Sequence, residues 1–220
     1  MDNTITVTGR GSIHVVPDVT RLEVSVRGIF PSYNEAYAKA KENSGWMVKV
    51  LEYNKLNGKL AKTKELDISE HYATKYDKYG NHVSSEKDGY TLHQEIKVDL
   101  EMDNVMLNKV IRGVGKYIEG AQINIGYTVK DPRPSQLKML ERAIKDATEK
   151  AKIMAEAAHC KLGDVASINY SRQDVHVYSQ ARNIHSNEET MSCNPESLDI
   201  SPEDLVVSDD VTVIWGLKSL

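Results

Sequence analysis

The chain has little of what gives small proteins their most recognisable chemistry. It carries two cysteines, Cys160 and Cys193, in 220 residues. Two thiols cannot form a disulfide framework, and neither has partners at the spacing of a zinc site. Unpaired thiols fit a reducing compartment better than an oxidising one. No apolar run approaches the roughly 18 residues of a membrane-spanning helix. The opening "MDNTITVTGR" lacks both the basic and the apolar region of an export signal. A cytoplasmic protein is therefore expected, or a periplasmic one whose leader has been trimmed. Neither sign of charge dominates: the formal net charge is -4. That balance excludes the basic footprint of a nucleic-acid partner. The familiar active-site patterns are also missing, with no GxSxG, HExxH, DxDxDG or Walker sequence. No catalytic residue and no cofactor is expected.

What is present is a large, ordinary globular composition, 40% hydrophobic and 27% charged. It suffices for one domain over 1–220 with a substantial core. Thr4 to Thr8 alternates like a half-buried strand. In "TRLEVSVRG", Leu22, Val24 and Val26 share one face. "FPSYNEAYAKAKENSGWMVKVLEYNKLNG" is helical, opened by a Ser32/Glu35 capping box and closed at Asn57-Gly58. Tyr33, Tyr37, Ala40, Met47 and Leu51 form its expected inner stripe. Two strands follow, around Leu66–Ile68 and over "YTLHQEIKVDL", joined by a polar tip. On the second of these Gln94 is the one polar member of an apolar face. A helix capped by Asp103, a strand from Ala121 to Val129 and a long helix opened at Pro134 or Ser135 come next. Leu137, Leu140, Ile144, Ala147, Ala151, Met154 and Ala158 line that helix, and Gly163 is read as its stop signal. "DVASINYS" and "LVVSDDVTVIWGL" are strands. Residues 173–204 are polar and aperiodic and read as a flexible insertion, in which Cys193 is expected to react with thiol reagents faster than Cys160. The order β-β-α-β-β-α-β-α-β-β, with strands in pairs, predicts an α+β fold with mostly antiparallel sheets.

Three clusters are candidates for function. The stretch "GRGSIHVVPD" has the glycines of a phosphate loop, but more strand follows it and no helix starts before Ser32. It is read instead as a strand-bend-strand hinge formed by Gly9, Gly11, Pro17 and Asp18. His71 and His93 fall on the two strands of one hairpin and could approach each other, with Glu70 or Glu95 nearby, as the beginning of a metal site. Tyr72, Tyr76, Tyr79 and Tyr90 cluster around the same hairpin, a composition suited to contact with another protein.

Several segments resemble the SIMPL-domain family, long catalogued as a domain of unknown function. "ITVTGRGSIHVVPDVTRLEVSV" is similar to that family's opening, and "EAYAKAKENSGWMVKVLEYNKLNG" to its first helix. "KTKELDISEHYATKYD" resembles a family strand, with Ser69 where threonine is commoner. "GYTLHQEIKVDLEMDNVMLNKVI" matches a further segment through Gly89 and Tyr90. "ERAIKDATEKAKIMAEAAHCKLGDVASI" is similar to the family's long helix and following strand, with His159 in place of a more usual glycine. "VVSDDVTVIW" resembles the closing strand. The resemblance spans the chain except 173–204. It implies an α+β fold without established catalytic residues. It also implies oligomeric assembly in some members, and links to kinase-associated signalling, to the bacterial envelope and to oxidative-stress tolerance. Two function classes follow: a non-enzymatic interaction or assembly protein forming a homo-oligomer, or a small-ligand or metal-binding protein or enzyme using the 63–101 hairpin.

Overall fold

The computed structural model describes residues 3–76, 78–79, 82–170, 178–185 and 202–219, with the backbone alone for Tyr76 and 178–185. The elements run β1 (Thr4–Val15), β2 (Val19–Phe30), α1 (Tyr33–Tyr53), β3 (Ala61–Tyr76), β4 (His82–Glu101), α2 (Asn104–Tyr117), β5 (Gln122–Thr128), α3 (Arg133–Ala157), β6 (Cys160–Asn169), β7 (Tyr178–His185) and β8 (Leu205–Ser219). The fold is α+β. Its order is the expected one with one strand more, β7, which lies within the stretch read as an insertion. The remainder of 173–201, Cys193 included, lies outside the described residues. No helix among the described residues is long and apolar enough to cross a membrane.

The chain read as one domain gathers into two compact units, and it passes from one to the other between Pro17 and Asp18, Tyr127 and Thr128, Ser179 and Gln180, and Pro202 and Glu203. The first unit contains a three-stranded sheet in the order β1-β8-β6, antiparallel in both pairings, with α3 on one face. Val7, Val211, Val213 and Trp215 point to that helix. After Met139 the helix answers with small residues: Ala143, Ala147, Ala151 and Ala155 complete its buried stripe. Leu137 and Met154, expected inside, are exposed. The largest apolar side chains did not mark the inner face, because the strand beneath leaves no room for them.

The close of α3 carries a strained residue. Its last carbonyls are capped by the N–H groups of Ala158 and His159, and His159 takes φ +55° before β6 starts at Cys160. Gly163, expected to stop the helix, sits inside β6 instead. A left-handed residue other than glycine costs on the order of 1–2 kcal/mol, partly offset by the backbone freedom that glycine loses on folding. His159→Gly is therefore expected to raise stability by up to about 1 kcal/mol. Urea unfolding would read this directly, and a loss of stability would show that the imidazole makes contacts worth more than the strain.

The second unit holds a five-stranded sheet in the order β3-β4-β2-β5-β7. β2 and β3 both pair antiparallel with β4. Strand alternation turns Leu22, Val24 and Val26, then Ile96, Val98 and Leu100, toward one core. Met47, Val50 and Leu51 of α1, Leu107, Val110 and Val114 of α2, and Ile123, Ile125 and Tyr127 of β5 fill it. The helices start where the sequence placed them. Ser32 Oγ accepts the Glu35 N–H at 3.2 Å, and Asp103 Oδ1 accepts from Val105 and Met106 at 2.8 and 3.1 Å. The inner stripe of α1 is Ala36, Ala40, Asn43, Met47, Val50 and Leu51. Tyr33 and Tyr37, expected within it, are half exposed.

Candidate functional site

The opening glycines do not bend the chain. β1 runs without a register shift from Thr4↔Gly216 to Val15↔Leu205, straight through Gly9 and Gly11, and neither glycine has a positive φ. The turn comes later, at Val16, Pro17 and Asp18. The hinge expected at Gly9 and Gly11 is thus corrected: these residues are small because α3 lies on top of them. A Cβ on Gly9 would fall on the Ala143 carbonyl oxygen and the Ala147 nitrogen, and one on Gly11 on the Met139 carbonyl oxygen. Between them, Arg10 donates its backbone N–H to Asp146 Oδ2 at 2.7 Å, and just after them Arg142 Nη1 donates to the Ser12 carbonyl at 2.6 Å. Two α3 side chains thereby satisfy backbone groups on the outer edge of a terminal strand, where unpaired N–H and C=O groups invite aggregation. A hydrogen bond from Lys150, then the Arg10 N–H, holds the Asp146 carboxyl below its usual range. The Arg10 side chain reaches Ser208 and Asp210. The motif is a packing seam.

The two candidate metal-binding histidines are not brought together. His71 pairs with Gly89 across the hairpin, and His93 pairs with Asp67. They share a face, but four β4 positions separate them, about 13 Å at strand spacing. Zinc ligands must converge to roughly 2 Å from one ion. Each histidine has its own carboxylate: His71 Nδ1 lies 2.6 Å from Asp88 Oδ1, and His93 Nδ1 lies 3.6 Å from Glu65 Oε1. Among the described residues no group of three or more His, Cys, Asp or Glu is placed to hold a metal ion.

The hairpin itself is the more distinctive feature. β2 accompanies β4 only from Glu101 back to Tyr90, whereas β3 follows β4 to Tyr76↔His82. Residues 71–76 and 82–89 therefore continue as a two-stranded arm. Such a ribbon is marginal alone, and cross-strand pairs line it: the ion pairs of Lys75 with Glu86 at 2.5 Å and Lys87 with Glu70 at 2.6 Å, and the hydrogen bond of His71 with Asp88. Register shifts at His71/Tyr72 and Lys75/Tyr76 interrupt its ladder, which hinders open-ended pairing of its edges.

At the base of the arm the charges and aromatics interlock. The Tyr33 ring lies parallel to Tyr37 at 6.5 Å and meets Tyr90 edge-on at 6.0 Å. Lys87 Nζ stands 4.4 Å from the centre of the Tyr90 ring and donates to its hydroxyl at 2.9 Å. Glu70 accepts from both Lys87 and the Tyr72 hydroxyl, each at 2.6 Å. These two bonds, Lys87 first, hold the Glu70 carboxyl below the ordinary glutamate range, and the same contacts raise Tyr72 and Lys87. Tyr33, Tyr37 and Tyr72 remain 50–52% exposed. The arrangement is a fixed aromatic surface, costing little rotamer entropy to present. Of the tyrosines expected near the hairpin, Tyr72 and Tyr90 belong to it, Tyr79 is exposed beside Lys78 at the turn, and the side chain of Tyr76 lies outside the described residues. Tyr33 and Tyr37 were missed: their i, i+4 spacing reads equally as an inner stripe. The alternative stripe Ala36–Ala40–Asn43–Met47 was legible only by allowing alanine to mark a close helix-sheet contact.

On the opposite face of the same sheet, Lys64 bridges Glu23 and Glu95 at 3.2 and 2.9 Å, and Arg21 forks onto Asp99 at 2.7 and 3.0 Å. Burial raises the Asp99 carboxyl, but Arg21 and Lys97 outweigh it and keep it below its usual value. All these charges are paired, as befits the wet face of an antiparallel sheet.

A family model described as SIMPL, protein of unknown function (DUF541), matches residues 5–215. No curated protein matches the chain.

Proposed function

The chain belongs to the SIMPL family of proteins of unknown function, and from that premise we propose that it is a non-enzymatic interaction and assembly protein whose contact surface is the tyrosine-lined base of the β3–β4 arm. One observation carries this reading: three tyrosines stand half exposed on one surface, held by ring stacking and by the Lys87–Glu70 pair. Interfaces favour tyrosine at their centres and bury it in pre-ordered pockets. The natural occupant is a second copy of the chain, because the arm carries cations and carboxylates side by side in its cross-strand pairs, Lys75–Glu86 and Lys87–Glu70, and so offers complementarity to itself. Size exclusion with light scattering tests this. The parent is expected to run as an oligomer at tens of micromolar, and Tyr33→Ser/Tyr37→Ser/Tyr72→Ser to run as a monomer with the same circular dichroism. A parent that stays monomeric at high concentration, with no co-purifying partner, sinks the proposal.

A further inference from the structure

The first unit has an open cavity of about 670 Å³, lined among the described residues by Pro132, Arg133, Gln136, Leu137, Leu140 and Tyr170. Its size falls within the range of small-molecule sites, roughly 300–1,000 Å³. One wall is the first two turns of α3 and another is Tyr170, just past the end of β6. The Tyr170 hydroxyl is committed elsewhere: it donates to Asp209 Oδ2 at 2.9 Å, and Asp209 is 8% exposed. That bond fixes the ring as an apolar wall and places a buried carboxylate behind it.

The remaining polar groups of the lining are the Gln136 amide and the Arg133 guanidinium. Arg133 has no side-chain hydrogen bond or ion pair among the described residues, whereas Arg21, Arg10 and Arg142 are all engaged. Its backbone N–H is already taken by Asp131 Oδ1 at 3.0 Å, so an anion here would be read by the side chain. A guanidinium fork matches a carboxylate in two parallel bonds. Leu137, 59% exposed, and Leu140 continue the apolar wall away from it. The Asp209 charge disfavours an anion at the Tyr170 end, which sets the polarity of the site.

We propose that this cavity binds a small organic carboxylate, its acid group on Arg133 and its apolar body along Leu137, Leu140 and the Tyr170 ring. This does not depend on the assembly reading, because the cavity and the arm belong to different units. The probe is octanoate, followed by amide chemical shifts of the full chain. Saturable shifts centred on Arg133, Gln136, Leu137, Leu140 and Tyr170 are expected, with octanol and octylamine binding at least tenfold more weakly. Arg133→Gln should weaken octanoate about tenfold or more, the scale of one charged hydrogen bond. Leu137→Asn should weaken octanoate and octanol alike, and Lys138→Gln, a nearby exposed cation, should leave both unchanged. The site is refuted by an absence of saturation, by shifts scattered over the surface, by octanol binding as well as octanoate, or by Arg133→Gln binding like the parent.

Discussion

Gly11→Val is expected to destabilise the chain by more than about 3 kcal/mol, and Gly11→Ala by about 2, with Gly9 variants close behind. Overpacking usually costs about 1–3 kcal/mol when a neighbouring side chain can move aside. Here the obstacle is helix backbone: the new Cβ would meet the Met139 carbonyl, with the Ala143 nitrogen 2.9 Å away. Relief requires all of α3 to lift from β1. That would also break the Arg10–Asp146 and Arg142–Ser12 bonds that cover the strand edge and thin the contacts of Ala143, Ala147 and Ala151. Arg10→Ala is the control. Its side chain is 67% exposed, its contacts are to Ser208 and Asp210, and its backbone bond survives the change, so an effect within about 0.5 kcal/mol is expected. Urea melts of the three variants check the series. A Gly11→Ala protein as stable as the parent would show that the helix yields freely and that the seam is not a constraint.

The second large effect lies in the core of the other unit. Asn43 on α1 and Gln94 on β4 are both fully buried. Asn43 Nδ2 donates to Gln94 Oε1 at 3.2 Å, while Gln94 Nε2 donates to the Ala40 carbonyl and to Ser44 Oγ, each at 2.9 Å. Asn43 Oδ1 has no hydrogen-bond partner among the described residues. Gln94→Ala should therefore cost about 2–4 kcal/mol: it opens a cavity and strands the Asn43 amide in an apolar setting. Replacing both partners with apolar residues of similar shape, as in Asn43→Leu/Gln94→Met, should recover most of that loss, because no buried polar group is then left unpaired. A double-mutant cycle in denaturant is expected to give a coupling above about 1 kcal/mol. Strict additivity, or a Gln94→Ala cost under about 1 kcal/mol, would contradict the role assigned to the pair.

Both predictions turn on residues that the sequence flagged without explaining. Gln94 was visible as the polar exception in Tyr90–Leu100, but its partner was not, since Asn43 comes 51 positions earlier and nothing local marks it. Gly9 and Gly11 were visible as an anomaly in a strand. A bend, a bulge and a close backbone approach all ask for glycine, and only the position of α3 decides among them. His159 was visible as a departure from the SIMPL pattern, and its φ of +55° gives the reason glycine suits that place. The histidine pair shows the converse error. Sharing a hairpin brought His71 and His93 onto one face, and register then kept them apart.

Local rules determined most of the architecture: the alternation of Leu22, Val24 and Val26, the Ser32 and Asp103 caps, and the prolines at the start of α3 all act within a few residues, so the α+β class and the element order apart from β7 follow from sequence alone. Length also contributed, by allowing a core without disulfides. Tertiary structure alone decided that alanines complete the inner stripes of α1 and α3 while Tyr33, Tyr37, Leu137 and Met154 stay outside, because a stripe of alanines is apolar enough to be buried only where the sheet comes close. It also decided that the chain forms two compact units, that β3 and β4 outrun β2 as an arm, and that Arg133 meets a cavity closed on one side by Tyr170. Those outcomes depend on contacts between residues tens to hundreds of positions apart, whose geometry no short-range pattern carries.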